Sequence, residues 1–216
     1  MRNIRTEGII IKRRNFKEAD RILTVMTRDF GKIHVKAAGV RKITSRRSAH
    51  IELLNHAALH LYKSNNFLVL TEVKMLDDFA DIKKDIDKIG FAYHLCELID
   101  GLCPEDQDNS NVFTLLKRTL HKLTHQESLF AIPTKQSEIE DFTLGTYGVG
   151  LNDALPVARP KTMKSHILDQ FERALLAELG YWNKYDAVSQ HFDTHAMIET
   201  ILERKLKSRN IFSKLQ

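Results

Sequence analysis

From Ile4 to Met75 the apolar positions come in short runs, several alternating strictly and many β-branched, each closed by polar turn residues. Such spacing predicts strands rather than helices. Five are expected: Ile4 to Arg13, Arg21 to Thr27, Lys32 to Ala38, Leu53 to Tyr62 and Phe67 to Met75. Asp29-Phe30-Gly31 and Ser64-Asn65-Asn66 are turn sequences, so the second and third strands, and the fourth and fifth, should form hairpins. The one long connection, Gly39 to Ile51, falls between the third strand and the fourth. Five antiparallel strands with the extra segment there fit a small, partly open barrel of the OB type, whose face and loops commonly bind oligonucleotides. An SH3-like barrel is the main rival.

Beyond Met75 the spacing becomes helical, and the acidic stretch DDFADIKKDID marks the change. Ile89, Ala92, Tyr93, Cys96, Leu98 and Ile99 follow a 3.6-residue period that ends near Gly101 and Pro104. A second helix is predicted after Asn109-Ser110, with Val112, Leu115, Leu116, Thr119 and Leu123 buried. Glu138 to Leu144 is a third candidate, and Asn152 to Lys161, punctuated by Pro156 and Pro160, reads as a loop. Ser165 to Leu179 has one apolar face and Gly180 positioned as its C′ residue, and a last helix is predicted over Thr194 to Lys207. The predicted class is therefore α+β: an OB-type barrel over residues 1–78 and an all-helical domain over residues 79–216.

Charge changes this picture. The net charge is only +5, yet residues 1–76 hold sixteen Lys and Arg against six Asp and Glu, a balance of +10, while residues 77–216 hold seventeen against twenty-two, a balance of −5. Gly31 to His50 carries Lys32, Lys36, Arg41, Lys42, Arg46 and Arg47 with no acidic residue. A basic block on one domain points to a polyanionic partner. No basic amphipathic helix accompanies it, so nucleic acid leads over an acidic membrane. The other predicted strands add Lys12, Arg13, Arg14 and Lys63, which would continue a phosphate-tracking groove. Phe16, Phe30, Tyr62 and Phe67 lie nearby in sequence, to stack bases or to fill the core.

At 43% apolar the chain can bury a sizeable core, but no run approaches the ~20 residues that a membrane span requires. With no charged segment leading into an apolar one at the start, a cytoplasmic location is expected. Cys96 and Cys103 fall in a leucine-rich helical pattern, where thiols serve as small buried groups. No Walker A, H-E-x-x-H or G-x-S-x-G sequence is present, and GTYGVG has its glycines in the wrong order for a dinucleotide loop. His121 with His125 and His191 with His195 are each four apart, but a tetrahedral zinc needs about four ligands and the cysteines are poorly placed to help. Neither a metal nor a cofactor is expected, and no catalytic residue is assigned. Asp77, Asp78, Asp81 and Asp85 leave a metal-dependent nuclease or phosphodiesterase as one alternative. They fit better as solvation of the junction and favourable charge at the next helix N-terminus. A helical-domain interaction protein with no DNA role is the other alternative.

Three groups of segments occur in order: EGIIIKRRNFKEADRILTVMTRDFGKI with AAGVRKITSR, LTEVKMLDDF with AYHLCELIDGL, and FERALLAELGY with RKLKSRNIFSKL. They resemble the RecO family of bacterial recombination mediators, leaving roughly residues 124–162 unmatched. The resemblance implies a non-catalytic protein that binds single- and double-stranded DNA, anneals complementary strands and works with RecR. It also implies help for RecA loading on DNA coated by single-strand-binding protein, and so a place at the nucleoid. The acidic, apolar-ended tail of that coating protein would dock on the helical domain, where Lys117, Arg118, Lys122, Lys164 and Arg173 stand beside leucine-rich positions. Many members carry a four-cysteine zinc module just after L-G-Y. Here LGYWNKYDAVSQHFDTH has no cysteine, so whatever the family does through that module does not carry over.

Overall fold

Our computed structural model describes residues 3–64, 67–125, 163–181 and 193–208. The alternating segments become β1 (Asn3–Phe16), β2 (Asp20–Thr27), β3 (Gly31–Ala37), β4 (His56–Lys63) and β5 (Leu68–Asp77). Strands β1, β2 and β3 form an antiparallel meander, β4 pairs antiparallel with both β1 and β5, and β5 meets β3 in parallel, Val35 beside Leu68 and Lys36 beside Val69. That parallel step closes the ring, so the OB-type barrel is closed rather than partly open. The fourth strand begins at His56 instead of Leu53. Leu54 adopts a left-handed backbone (φ 70°) that a strand does not accommodate, and its side chain turns into the helical core.

Along β1 the alternation serves two cores. Ile10 lies inside the barrel with Leu23, Val25, Ile33, Val35, Leu59 and Leu61, while Ile9 and Ile11 pack outward against the helices. The register of β1 against β2 slips between Ile10 and Lys12, so that Ile11 and Lys12 both leave the barrel interior.

The helical part comprises α1 (Ala80–Lys84), α2 (Ile86–Leu102), α3 (Ser110–His125), α4 (Met163–Glu178) and α5 (Thr194–Leu202). The junction acids start helices. Asp77 and Asp78 accept the N–H groups of Phe79 and Ala80, and Asp85 caps α2 by accepting those of Asp87 and Lys88 at 2.9 and 3.2 Å. The short α1 inside this stretch is absent from the sequence reading. Helix α3 buries Phe113 and Leu120 in addition to Val112, Leu116, Thr119 and Leu123, with Leu115 half-buried. Gly180 (φ 80°) ends α4 in a Schellman turn, Gly180 N–H donating to Ala177 and Tyr181 N–H to Leu176. Helix α5 stops at Leu202 rather than Lys207. Glu203 turns left-handed (φ 53°), and the N–H groups of Lys207 and Ser208 go instead to the Glu97 carboxylate at 2.9 Å each. The predicted helix at Glu138 to Leu144 and loop at Asn152 to Lys161 lie outside the described residues. No described helix is long and apolar enough to cross a membrane.

Barrel and helices share one core, in which Ile9, Ile11, Met26 and Leu54 meet Phe79, Leu95, Leu98, Phe113 and Leu116. The seam is tightest at Gly31. Its φ is 63°, and a Cβ there would stand 1.7 Å from the Gln107 carbonyl oxygen.

Candidate nucleic-acid interface

Directly opposed residues of antiparallel strands point the same way, so rows can be followed across the outer face of β1, β2 and β3. One row is Lys12–Thr24–His34; the next is Arg14–Ile22–Lys36, followed by Phe16 opposite Asp20. The helical domain covers the first row with acids. Lys12 Nζ lies 2.6 Å from Asp100, and His34 Nε2 lies 2.8 Å from Glu105. Lys32, one step deeper, donates to the Asp100 carbonyl at 2.6 Å. The second row lies beyond this cover. Arg14 is exposed and has no side-chain partner among the described residues, while Lys36 stands 3.1 Å from Asp20.

Aromatic rings gather at this open end. The Phe16 and Phe67 centroids are 6.3 Å apart with a 54° tilt, and the ammonium groups of Lys17 and Lys36 each lie 5.7 Å from the Phe16 centroid. Phe67 is 46% exposed. Lys63 is also exposed and lines, with Phe30, Ile33, Phe67 and Leu68, a cavity of about 670 Å³. Tyr62 is half-buried in β4.

The basic connection between β3 and β4 is held against the same end. Arg41 N–H donates to the Ala19 carbonyl at 2.9 Å and its guanidinium to that of Lys17 at 3.2 Å, which fixes the loop to the β1–β2 turn. Gly39 (φ 67°) donates its N–H to the Asp20 carboxylate at 2.9 Å. That bond first, and Lys36 next, hold the Asp20 carboxyl below its ordinary range. Arg47 donates to the carbonyls of Ala38 (2.8 Å), Leu70 (2.9 Å) and Thr71 (3.4 Å), so its guanidinium fastens the far end of the loop. Between the two fastenings Lys42, Ile43 and Arg46 stand exposed.

The nine cations singled out in the barrel thus divide. Arg14, Lys42, Arg46 and Lys63 are exposed without ion pairs among the described residues, and Lys36 and Arg41 share their end of the barrel. Lys12 is occupied by Asp100, Arg13 by Glu52 at 2.5 Å, and Arg47 by the loop itself. Lys17, beside Phe16 in a turn with φ 52°, was missed. A basic residue in a tight turn next to an aromatic one is the signal that would have found it.

The helical-domain cations are less concentrated. Lys117 sits at the seam 3.8 Å from Glu7, which also holds buried His56 at 2.9 Å. Burial, then Lys117, push the His56 imidazole below its ordinary range. Arg118 and Lys122 are exposed on α3, Arg173 pairs with Asp169 at 3.1 Å, and the Lys164 side chain lies outside the described residues. A described cavity that does combine apolar walls with cations, about 480 Å³, is formed by other residues: Ile11, Leu53 and Tyr93 with Lys12, Arg204 and Lys207, and with the acids Asp100 and Glu97 that pair with Lys12 and Arg204. Cys96 also borders it, but burial pushes that thiol up to about 12, and Cys103 to about 11, which leaves neither as a thiolate nucleophile near neutral pH.

The histidine spacing also plays out differently. His121 packs edge-on against Phe79, 3.9 Å from Asp77, and His191 lies outside the described residues. His195 instead meets His94 and Glu172, three groups from α5, α2 and α4 whose ligand atoms lie within 4.8 Å of one another. Residues so far apart in the chain leave no local spacing to read.

The family model described as Recombination protein O N terminal matches residues 1–79, and Recombination protein O C terminal matches residues 83–134. DNA repair protein RecO of Roseiflexus sp. (strain RS-1) is 38% identical over 151 residues, 70% of this chain and 49% of that protein. The DNA repair protein RecO of Heliobacterium modesticaldum is 36% identical over 124 residues, 57% of this chain and 45% of that protein. That of Symbiobacterium thermophilum is 33% identical over 115 residues, with 53% and 46% covered. The chain spans about half the length of the curated relatives it matches.

Proposed function

The chain belongs to the RecO family, and on that premise we propose that it is a non-catalytic DNA repair and recombination mediator that binds single-stranded DNA at the open end of the barrel. The observation that carries this is the juxtaposition of Phe16 and Phe67 with Lys17, Lys36 and the Lys42 to Arg46 loop. Rings give unpaired bases a stacking surface and cations track the phosphates, a combination that favours single strands. Annealing then needs no bond-breaking step. Two strands repel through their phosphates, and a cationic surface between them lowers that repulsion until base pairing proceeds. The junction acids, engaged in starting helices, favour this reading over a nuclease.

In this reading residues 1–78 bind DNA and residues 79–216 meet the protein partners that the family resemblance implies: RecR, the acidic tail of single-strand-binding protein and, indirectly, RecA. The cavity lined by Leu53, Tyr93, Arg204 and Lys207 offers such a tail apolar walls and the exposed Lys207, while its other cations, Lys12 and Arg204, are already paired with Asp100 and Glu97 of the same lining. The working location is the cytoplasm, at the nucleoid.

Anisotropy titrations of a labelled oligothymidine at several salt concentrations test the central claim. Changing Lys42 and Arg46 together to Ala, with Arg41 and Arg47 kept as the loop fastenings, should weaken binding and slow annealing. The slope of log affinity against log salt should become shallower by roughly 1.4, at about 0.7 per lost phosphate contact. An unchanged slope would mean that the DNA path avoids this loop.

A further inference from the structure

Within the helical domain, α2, α4 and α5 bring His94, Glu172 and His195 to one point. His94 and Glu172 are almost fully buried, with side chains 3% and 7% exposed, and His195 is 28% exposed at the solvent edge. His94 Nε2 lies 3.0 Å from Glu172 Oε1, and His195 Nδ1 lies 3.6 Å from the same oxygen. The second separation is too long for a hydrogen bond. An imidazole nitrogen is therefore aimed at a buried carboxylate without bonding to it.

We propose that these three residues bind a divalent first-row transition ion, with zinc the best fit. Ligands held 2.0–2.1 Å from a tetrahedral zinc stand roughly 3.3 Å apart, and the two separations bracket that value. A His₂Glu set matches borderline ions better than Mg²⁺ or Ca²⁺, which take oxygen ligands. His94 and Glu172 are also oriented by hydrogen bonds to their other polar atoms, as ligands of bound metals are. His94 Nδ1 is 2.7 Å from the Ser208 hydroxyl, Glu172 Oε2 accepts the Thr194 hydroxyl at 2.9 Å, and His195 Nε2 faces Glu199 at 3.8 Å. His195 is the partly exposed member of the set, so the edge at which water or an external donor would supply a fourth ligand is its own. Bound there, the ion ties three helices and, through Ser208, the segment after α5. The donor set contains no cysteine, which separates this site from the four-cysteine module of other family members.

The test uses the full chain, stripped with a chelator and titrated with zinc against a chromogenic competitor. About one equivalent should bind, with a rise in melting temperature, and cobalt in its place should give the visible bands of a four-coordinate ion. His195→Ala, at the exposed edge, should keep the circular dichroism spectrum and weaken zinc binding by more than roughly 100-fold, beyond what loss of an orienting partner costs. Glu172→Gln, which preserves shape, serves as the second variant and should do the same. Ser208→Ala should weaken binding roughly 10-fold, and His121→Ala should leave it unchanged. No uptake by the stripped chain, or uptake that survives both His195→Ala and Glu172→Gln, overturns the proposal.

Discussion

Lys12 and Arg14 stand two residues apart on β1 and face the same side of the sheet, yet their surroundings differ completely. Lys12 meets Asp100 of α2, and its row continues to His34 against Glu105. Arg14 meets solvent, and its row continues to Lys36 and the Phe16–Phe67 pair. The helical domain thus neutralises one half of a basic face and leaves the other half for a ligand. Density of charge along a chain therefore overstates the charge that is available. What selects the available part is where acids from another domain land, and Asp100 and Glu105 both land on the seam side.

The severest way to break this division is to force the seam apart. Gly31→Ala places a Cβ against the Gln107 carbonyl in a left-handed backbone, and should cost about 3 kcal/mol or more in chemical denaturation. A cost under about 1 kcal/mol would show that the acids of the covered row are held loosely.

A milder test acts behind the covering acids and removes by pH the charge of Glu97, which holds the segment after α5 to α2. Burial alone would raise the Glu97 carboxyl, but the N–H groups of Lys207 and Ser208, the Ser208 hydroxyl and Arg204 hold it down at about 2, against an ordinary 4.5. Its folded pKa is depressed, so its contribution is complete above about 4.5 and is lost as pH falls toward about 2. Stability should drop over that window by roughly 1–2 kcal/mol after solvent screening, and Glu97→Gln should flatten the drop. The same slope in wild type and variant would place the acid sensitivity elsewhere.

The finest test sets the two rows side by side. Arg14→Ala should reduce the salt slope of oligothymidine binding by about 0.7, whereas Lys12→Ala should leave it unaltered because Lys12 is already paired. Equal effects would mean that Asp100 releases Lys12 to the DNA.

The strands were readable from alternation, as at Ile33, Val35 and Ala37, because one side of each strand faces a core and the other does not. The parallel contact of β3 with β5 was not, since no local signal marks pairing between segments so distant. Two helix ends illustrate the limit. Gly180 announced its turn by residue type, whereas the end of α5 depends on Glu97, a carboxylate more than a hundred positions away. The site was legible to the same extent. The basic loop stood out, but Arg46 and Arg47 are indistinguishable as letters, and their separation into an exposed cation and a loop fastening is made by the carbonyls of Ala38 and Leu70. His94 and Glu172 carried no signal because tertiary packing alone brings them together.

The register slip at Ile11 determines which letters of β1 become surface. Uninterrupted alternation from Ile10 would turn Lys12, Arg14 and Phe16 toward the barrel interior; the one extra residue shifts the phase, so all three emerge on the outer face. The binding face is therefore framed by a residue count as much as by residue identity. Replacing Arg14 changes one contact, but excising a single residue at the slip would invert every later side chain of the strand. Over evolutionary time β1 can drift by exchange of residues far more freely than by change of length.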